Sequence, residues 1–274
     1  MIQVSPNVYV ESNNTFCNLG LITTKEGVVI VDTPMSPTDS VKWRDEVAKK
    51  GKLRYVITTE EHGDHCTNSW FFPGVLISSE ETRKKLAKMS SKDIIDRVTK
   101  RDPSTSSIMK DFQLKLADIA FNGDLELHLG DHTFKLMPLP GHSSGGIGVF
   151  IPEEKVVFTT DCVFHKAKTW LQESIPDAWF ASLEKIRSLD VNVIVPGHGT
   201  SCDKSYLDEQ AGIIRKWIDA VKAAIKQGLT EAEAVVKIVP PDPYPKTPAA
   251  IPIPEAEINR MSIARLYQLY SGKK

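Results

Sequence analysis

The segment Thr58-Thr59-Glu60-Glu61-His62-Gly63-Asp64-His65 constrains this chain more than any other. It follows the apolar run at Tyr55–Thr58 and sets Glu60, His62, Asp64 and His65 within six positions. Imidazoles and carboxylates this dense are costly to gather unless a cation offsets the charge, and together they are donors for zinc, iron or manganese. On an extended chain alternate side chains share a side, so Glu60, His62 and Asp64 are expected to converge, with His65 turned onto the adjacent face and Glu61 pointing away. Gly63 is expected to permit the sharp turn this requires.

Three further candidates lie downstream, each in a loop that ends an apolar run. His142 sits in Leu139-Pro140-Gly141-His142-Ser143-Ser144-Gly145, Asp161 ends Val157-Phe158-Thr159-Thr160, and His198 sits in Val195-Pro196-Gly197-His198-Gly199. A lone histidine is ordinarily structural, but four ligand-bearing turns after four strand-like runs form a joint signal. His128 and His132 flank a Leu-Gly-Asp turn and read as surface residues. His165, four residues past Asp161, reads as a structural residue or a substrate contact.

The rest of the chain alternates strand and helix patterns. Val8–Val10, Leu19–Thr23, Gly27–Val31, Val75–Ser78, Leu125–Leu129, Phe134–Met137, Ile147–Ile151, Val156–Thr159 and Val191–Val195 are apolar or β-branched runs between turn residues. Helical patterns cover Pro37–Lys50, Asp177–Leu189 and Tyr206–Lys226, followed by a short helix opened by the capping pair Thr230 and Glu233. Residues 91–121 read as two polar helical stretches around Asp102-Pro103, either a solvated insertion or a lid over the site. Residues 240–274 read as a proline-rich linker that pins a final helix, whose Ile263, Leu266, Tyr267 and Tyr270 repeat at helical spacing.

Composition narrows the function classes. With 41% hydrophobic and 25% charged residues, the 274-residue chain is globular, and its net charge of −1 argues against a nucleic-acid partner. No apolar run is long enough to span a bilayer, so no membrane partner is expected. The amino terminus shows neither a basic nor an apolar leader region, so a cytoplasmic location is expected. The four cysteines (Cys17, Cys66, Cys162 and Cys202) form no CxxC pair and are expected to be free, small and buried.

Taken together, these motifs make the chain resemble the metallo-β-lactamase superfamily over nearly its whole length. The HxHxDH motif of that family is matched by Glu60, His62, Asp64 and His65, and its later positions by His142, Asp161 and His198. The resemblance implies an α/β fold, a four-layer αββα sandwich with the helical insertion at 91–121, forming a single domain over 1–274. It also implies two divalent metals, zinc foremost, with iron or manganese as alternatives. Glu60, His62 and His142 would hold one, Asp64, His65 and His198 the other, and Asp161 would bridge them. Asp64 would orient a metal-bridging hydroxide, and a small-molecule ester, lactone or β-lactam-like carbonyl would be hydrolysed. Glu60 departs from the family's histidine and hardens the first position. It counts against a glyoxalase II-type thioesterase. Phe164 stands where lactonases of the family carry tyrosine, and it is expected, with His165, beside the substrate. Two other readings stay open: a phosphoester hydrolase on the same site, and a mononuclear iron dioxygenase of the persulfide type.

Overall fold

Two β-sheets face one another across an interior of aliphatic side chains, and helices cover both outer faces. The structure, a computed structural model, describes residues 1–12, 16–245 and 253–272. The first sheet runs in chain order through β1 (Ile2–Ser5), β2 (Val8–Glu11), β3 (Leu19–Thr24), β4 (Gly27–Val31), β5 (Leu53–Ile57), β6 (Val75–Ser79) and β7 (Ile119–Phe121). It is antiparallel up to β4 and parallel from there on. The second sheet contains β8 (Leu125–Leu129), β9 (His132–Pro138), β10 (Ile147–Ile151) and β11 (Val156–Phe158). A small ribbon strand, β12 (Phe164–His165), follows in the chain, and β13 (Val193–Val195) then joins the second sheet beside β11. The last strand, β14 (His198–Gly199), pairs with β12 in parallel.

Period-two alternation sorts these strands into layers. In β4, Val29 and Val31 point between the sheets to meet Phe134, Leu136, Val149 and Phe158, while Val28 and Ile30 point outward. Those outward residues are covered by α1 (Pro37–Lys50) through Trp43 and Val47. Along the chain follow α2 (Gly63–Cys66), α3 (Glu80–Leu86) and α4 (Ser91–Arg101). On the far face of the second sheet, α5 (Pro176–Ser188) and α6 (Tyr206–Lys226) bury Trp179 and Trp217 in a third apolar cluster. Beyond them lie α7 (Glu231–Lys237), which opens on the Thr230–Glu233 capping box, and α8 (Glu255–Tyr270). The layers are therefore helix, sheet, sheet and helix. None of the described helices is long and apolar enough to cross a membrane.

Three local expectations change. Within 91–121 only α4 is a regular helix. A short 3-10 turn at Pro103–Thr105 follows, and the segment ends as strand β7. Asp118 drives that ending: its amide donates to Leu76 O and its carboxylate accepts from Leu76 N, both at 2.8 Å, which docks the chain on β6. Ile94, Met109 and Phe112 of this segment are buried with Trp43 and Phe71 on the outer face of the first sheet.

The second change concerns His132, which is buried rather than on the surface. Its ring nitrogens lie 3.0 Å from Asp131 Oδ1 and 3.0 Å from Glu154 Oε1, because facing turns of the sheet bring both carboxylates to it. His128 is exposed. The third concerns 240–274: residues 246–252 of the proline-rich stretch fall outside the described residues, whereas Pro245 O accepts from Lys168 N at 2.9 Å. None of the four cysteines is in a disulfide; three are buried and Cys202 is half-buried.

Candidate metal centre

The ends of β5, β9, β11 and β13 open on one edge of the sandwich, and each hands a loop to the same spot. Glu60 and His62 lie on extended backbone after β5. The helical turn α2 then begins at Gly63, so Asp64 and His65 reach the site from a helix rather than by strand alternation. This replaces the extended reading of the motif. Gly63 itself has no left-handed φ, and its turn is that of an ordinary helix start.

All seven candidate ligands converge. His62 Nδ1 lies 3.2 Å from Glu60 Oε1 and 3.1 Å from His142 Nε2. His65 Nε2 lies 3.3 Å from both Glu60 Oε1 and Asp161 Oδ1, and His198 Nε2 lies 3.2 Å from Asp161 Oδ2 and 3.5 Å from Asp64 Oδ2. Asp161 Oδ2 is also 3.5 Å from His142 Nε2, so this one carboxylate faces three histidines. Donor atoms of Glu60, His62 and His142 fall within 4.8 Å of one another, as do those of Asp64, His65 and His198.

Neighbouring groups hold these side chains in place. Asp32 Oδ2 lies 2.8 Å from His65 Nδ1, while the Asp32 carboxylate accepts from Thr59 N at 2.7 Å and Thr59 Oγ1 at 2.6 Å. Trp170 O faces His142 Nδ1 at 2.8 Å, and Ser143 Oγ donates to Glu60 Oε2 at 2.6 Å. Asn18, buried, donates to Pro196 O and Gly199 O at 2.8 Å each and so fixes the turn that carries His198. Gly197 in that turn is required by contact: a Cβ there would stand 1.8 Å from Asp161 Oδ1. Asp32 (φ 61°) and Thr160 (φ 46°) hold left-handed backbone beside the site, a conformation that costs energy in non-glycine residues. None of Asn18, Asp32, Ser143 or Trp170 was marked out by the sequence reading. Only Asp32, a charge closing the buried run Val28–Val31, left a local signal there.

The cluster is electrostatically tense. Burial pushes Asp161 towards neutrality, yet the His198 and His65 charges outweigh it and hold its carboxyl well below the ordinary range. Glu60 is likewise driven up by burial and pulled lower still by His62, to about 2. Burial lowers His62 and His65, yet Glu60 and Glu173 raise the first, and Cys17, Asp161 and Asp32 raise the second. Two atoms at the centre, His65 Nε2 and Asp161 Oδ1, are buried without a hydrogen bond, while His62 turns Nδ1 inward and Nε2 towards Glu173 Oε1 at 3.5 Å. Buried polar atoms are normally satisfied, so lone pairs aimed at a common point in a nitrogen–oxygen donor set fit divalent cations. Glu61, expected to point away, does so. It is buried against Thr82 Oγ1 at 3.3 Å and paired with Lys85.

A cavity of about 210 Å³ opens beside the cluster, lined on one side by His62, Asp64, His142, Asp161 and His198. The facing wall comes from Ala167–Gln172 and from α8 and its approach, not from 91–121. Phe164 and His165 do not line it. Phe164 is buried behind the ligands, stacked on His198 with ring centroids 5.3 Å apart, and His165 Nδ1 is spent on Thr200 O at 2.7 Å.

Known proteins resemble this chain to different degrees. A hydroxyacylglutathione hydrolase of Brucella ovis is 29% identical over 216 residues, covering 75% of this chain and 71% of that protein. A beta-lactamase-like protein 2 homolog of Caenorhabditis elegans is 29% identical over 152 residues, 56% of this chain but only 44% of the worm protein. Among solved structures, a metallo-beta-lactamase family protein from Thermus thermophilus superposes with a TM-score of 0.70 at 15% identity, covering 96% of this chain and 92% of that one. A metallo-beta-lactamase from Pontibacter korlensis gives a TM-score of 0.59 at 17% identity over 78% of this chain and 97% of that one. The family model of the metallo-beta-lactamase superfamily matches residues 13–198, a span that contains every candidate ligand. This chain belongs to the metallo-beta-lactamase superfamily.

Proposed function

We propose that the protein is a metal-dependent hydrolase of small molecules that opens an ester, lactone or β-lactam-like carbonyl, to which the hydroxyacylglutathione hydrolase relatives add a thioester in spite of Glu60. The observation that carries the reading is the pairing of two complete three-donor sets, Glu60/His62/His142 and Asp64/His65/His198, across the single carboxylate of Asp161. Two divalent cations, zinc foremost, would there lower the pKa of water and polarise the carbonyl. Asp161 sets the spacing of the two halves, Asp64 orients the reacting side of the second half, and Trp170 and Met261 line the cavity beside them. Superfamily membership and the hydrolase relatives support the same reaction class.

The carboxylates of Glu60, Asp64 and Asp161 would be offset by two divalent cations, so the preference for a carbonyl over a phosphoester rests on the hydroxyacylglutathione hydrolase relatives. Glu60 with His62 and His142 would also suit a single iron, but the second set is formed just as completely, so two metals fit better than one. The test is a hydrolysis panel of metal-loaded protein on aryl esters, thioesters, lactones, a β-lactam and phosphoesters. Turnover of carbonyl substrates well above phosphoesters is expected. Phosphoester turnover alone, or oxygen uptake with a persulfide, would replace this reading.

A further inference from the structure

We infer that the cavity is an acyl pocket for a short, uncharged, apolar acyl group, an inference that rests on the hydrolase reading of the adjoining ligands. At about 210 Å³ it lies below the ~300–1,000 Å³ of pockets that take drug-sized ligands. Outside the ligands the wall is mostly apolar, with Ala167, Trp170, Ile253 and Met261 beside the polar Lys168 and Gln172, whose Oε1 is buried without a hydrogen bond.

That wall is fixed rather than adaptable. Trp170 lines the cavity while its carbonyl faces His142 Nδ1 at 2.8 Å, so the wall and a candidate ligand share one residue. Leu171 N donates to Ser262 Oγ at 3.2 Å and Arg265 Nε to Ser174 O at 3.1 Å, which ties α8, and Met261 with it, to the same loop.

Charge narrows the ligand further. Among the described lining residues outside the ligand cluster, Lys168 is the cation, and it is engaged: only 2% exposed, its Nζ lies 3.1 Å from Glu255 Oε1. An acyl group bearing a carboxylate would have to displace Glu255 from Lys168, which a neutral alkyl chain does not. Met261 is thus the specificity-determining residue for chain length, and the Lys168–Glu255 pair keeps acidic acyl groups out.

The experiment compares kcat/KM of metal-loaded protein on p-nitrophenyl esters from acetyl to decanoyl, and on the butyrate against the hemisuccinate. A short-chain optimum is expected, with each excess methylene costing about tenfold or more and the butyrate favoured at least tenfold over the hemisuccinate. Met261→Ala should move the optimum to longer chains and Met261→Trp to shorter ones. A chain-length profile unmoved by Met261 substitutions, or a hemisuccinate preference that disappears in Lys168→Met, overturns the inference while leaving the hydrolase reading intact. No turnover of any ester counts against the hydrolase reading. The pocket is then judged by calorimetry alone: butyramide should bind, succinamate should not, and Met261→Trp should weaken butyramide at least tenfold. Equal binding of the two amides contradicts the inference.

Discussion

Ser143 donates its hydroxyl to Oε2 of Glu60 at 2.6 Å, with both residues buried, and this leaves Oε1 as the oxygen that faces His62 and His65. The turn that supplies His142 therefore also aims the carboxylate of the neighbouring position. The Glu60 carboxylate brings two oxygens to the centre, and Ser143 takes up the second. Ser143→Ala is expected to weaken metal binding by about 10–100-fold, the usual cost of losing a group that orients a ligand. In a Glu60→His background the same change should cost nothing, because an imidazole has no second oxygen to hold. Chelator-competition titration of the four proteins measures both numbers.

Asp64→Ala and His142→Ala each remove a donor from a different half of the cluster. Each is expected to lower bound metal from about two equivalents to about one and to abolish most hydrolysis, since the chemistry draws on both cations. Plasma mass spectrometry of the purified variants, alongside ester turnover, checks the pair. Full activity in either variant contradicts the ligand assignment.

Gly197→Ala should be as damaging as losing a ligand, although glycine donates nothing. The new Cβ would lie 1.8 Å from Asp161 Oδ1, against a turn held by Gly197 N to Thr160 O at 2.7 Å. The carboxylate must shift, and a loss of bound metal in a variant that still folds, judged by circular dichroism, is the expected result.

His132 makes a separate contribution at the opposite end of the sheets. It is buried between Asp131 and Glu154, and Asn7 Nδ2 donates to Glu154 Oε1 at 2.7 Å, so turns of both sheets meet at one imidazole. Burial lowers its pKa, but Glu154 and Asp131 outweigh that and raise it, while Asp131 is held at about 2, chiefly by the Lys25 amide and then by His132. A raised histidine stabilises fully below its unfolded pKa of ~6.5 and loses this as pH rises through the folded value. The lowered carboxylates contribute above their unfolded range near ~4 and lose it as pH falls towards 2. The stability gap between wild type and His132→Gln should therefore be widest between about pH 4 and 6.5 and narrow above it. Denaturant unfolding across that pH range measures it.

The behaviour of His132 also marks the limit of what a sequence shows. Apolar runs interrupted by turns revealed most of the strands, and ligand-type residues just past those runs pointed to the site, because both are local patterns. Strand β7 was hidden among polar residues, since its pairing depends on Asp118 meeting Leu76 across forty-two positions. The same distance in sequence conceals the partners of the site: Asp32 is thirty-three residues from His65, and Ser143 eighty-three from Glu60. Phe164 and His165 looked like substrate contacts because they follow Asp161. The strand pairing of β12 with β14 instead turns Phe164 behind the ligands and His165 towards Thr200. The cavity wall, drawn from Trp170 and Met261, carries no motif at all.

We propose that seven side chains form a two-metal centre in which Glu60 is a full ligand. Metal content per chain, measured by plasma mass spectrometry on protein purified without chelators, tests it most directly. About two equivalents of divalent metal are expected in the wild type. One equivalent of iron, or no tightly held metal after soaking in zinc, would contradict the account.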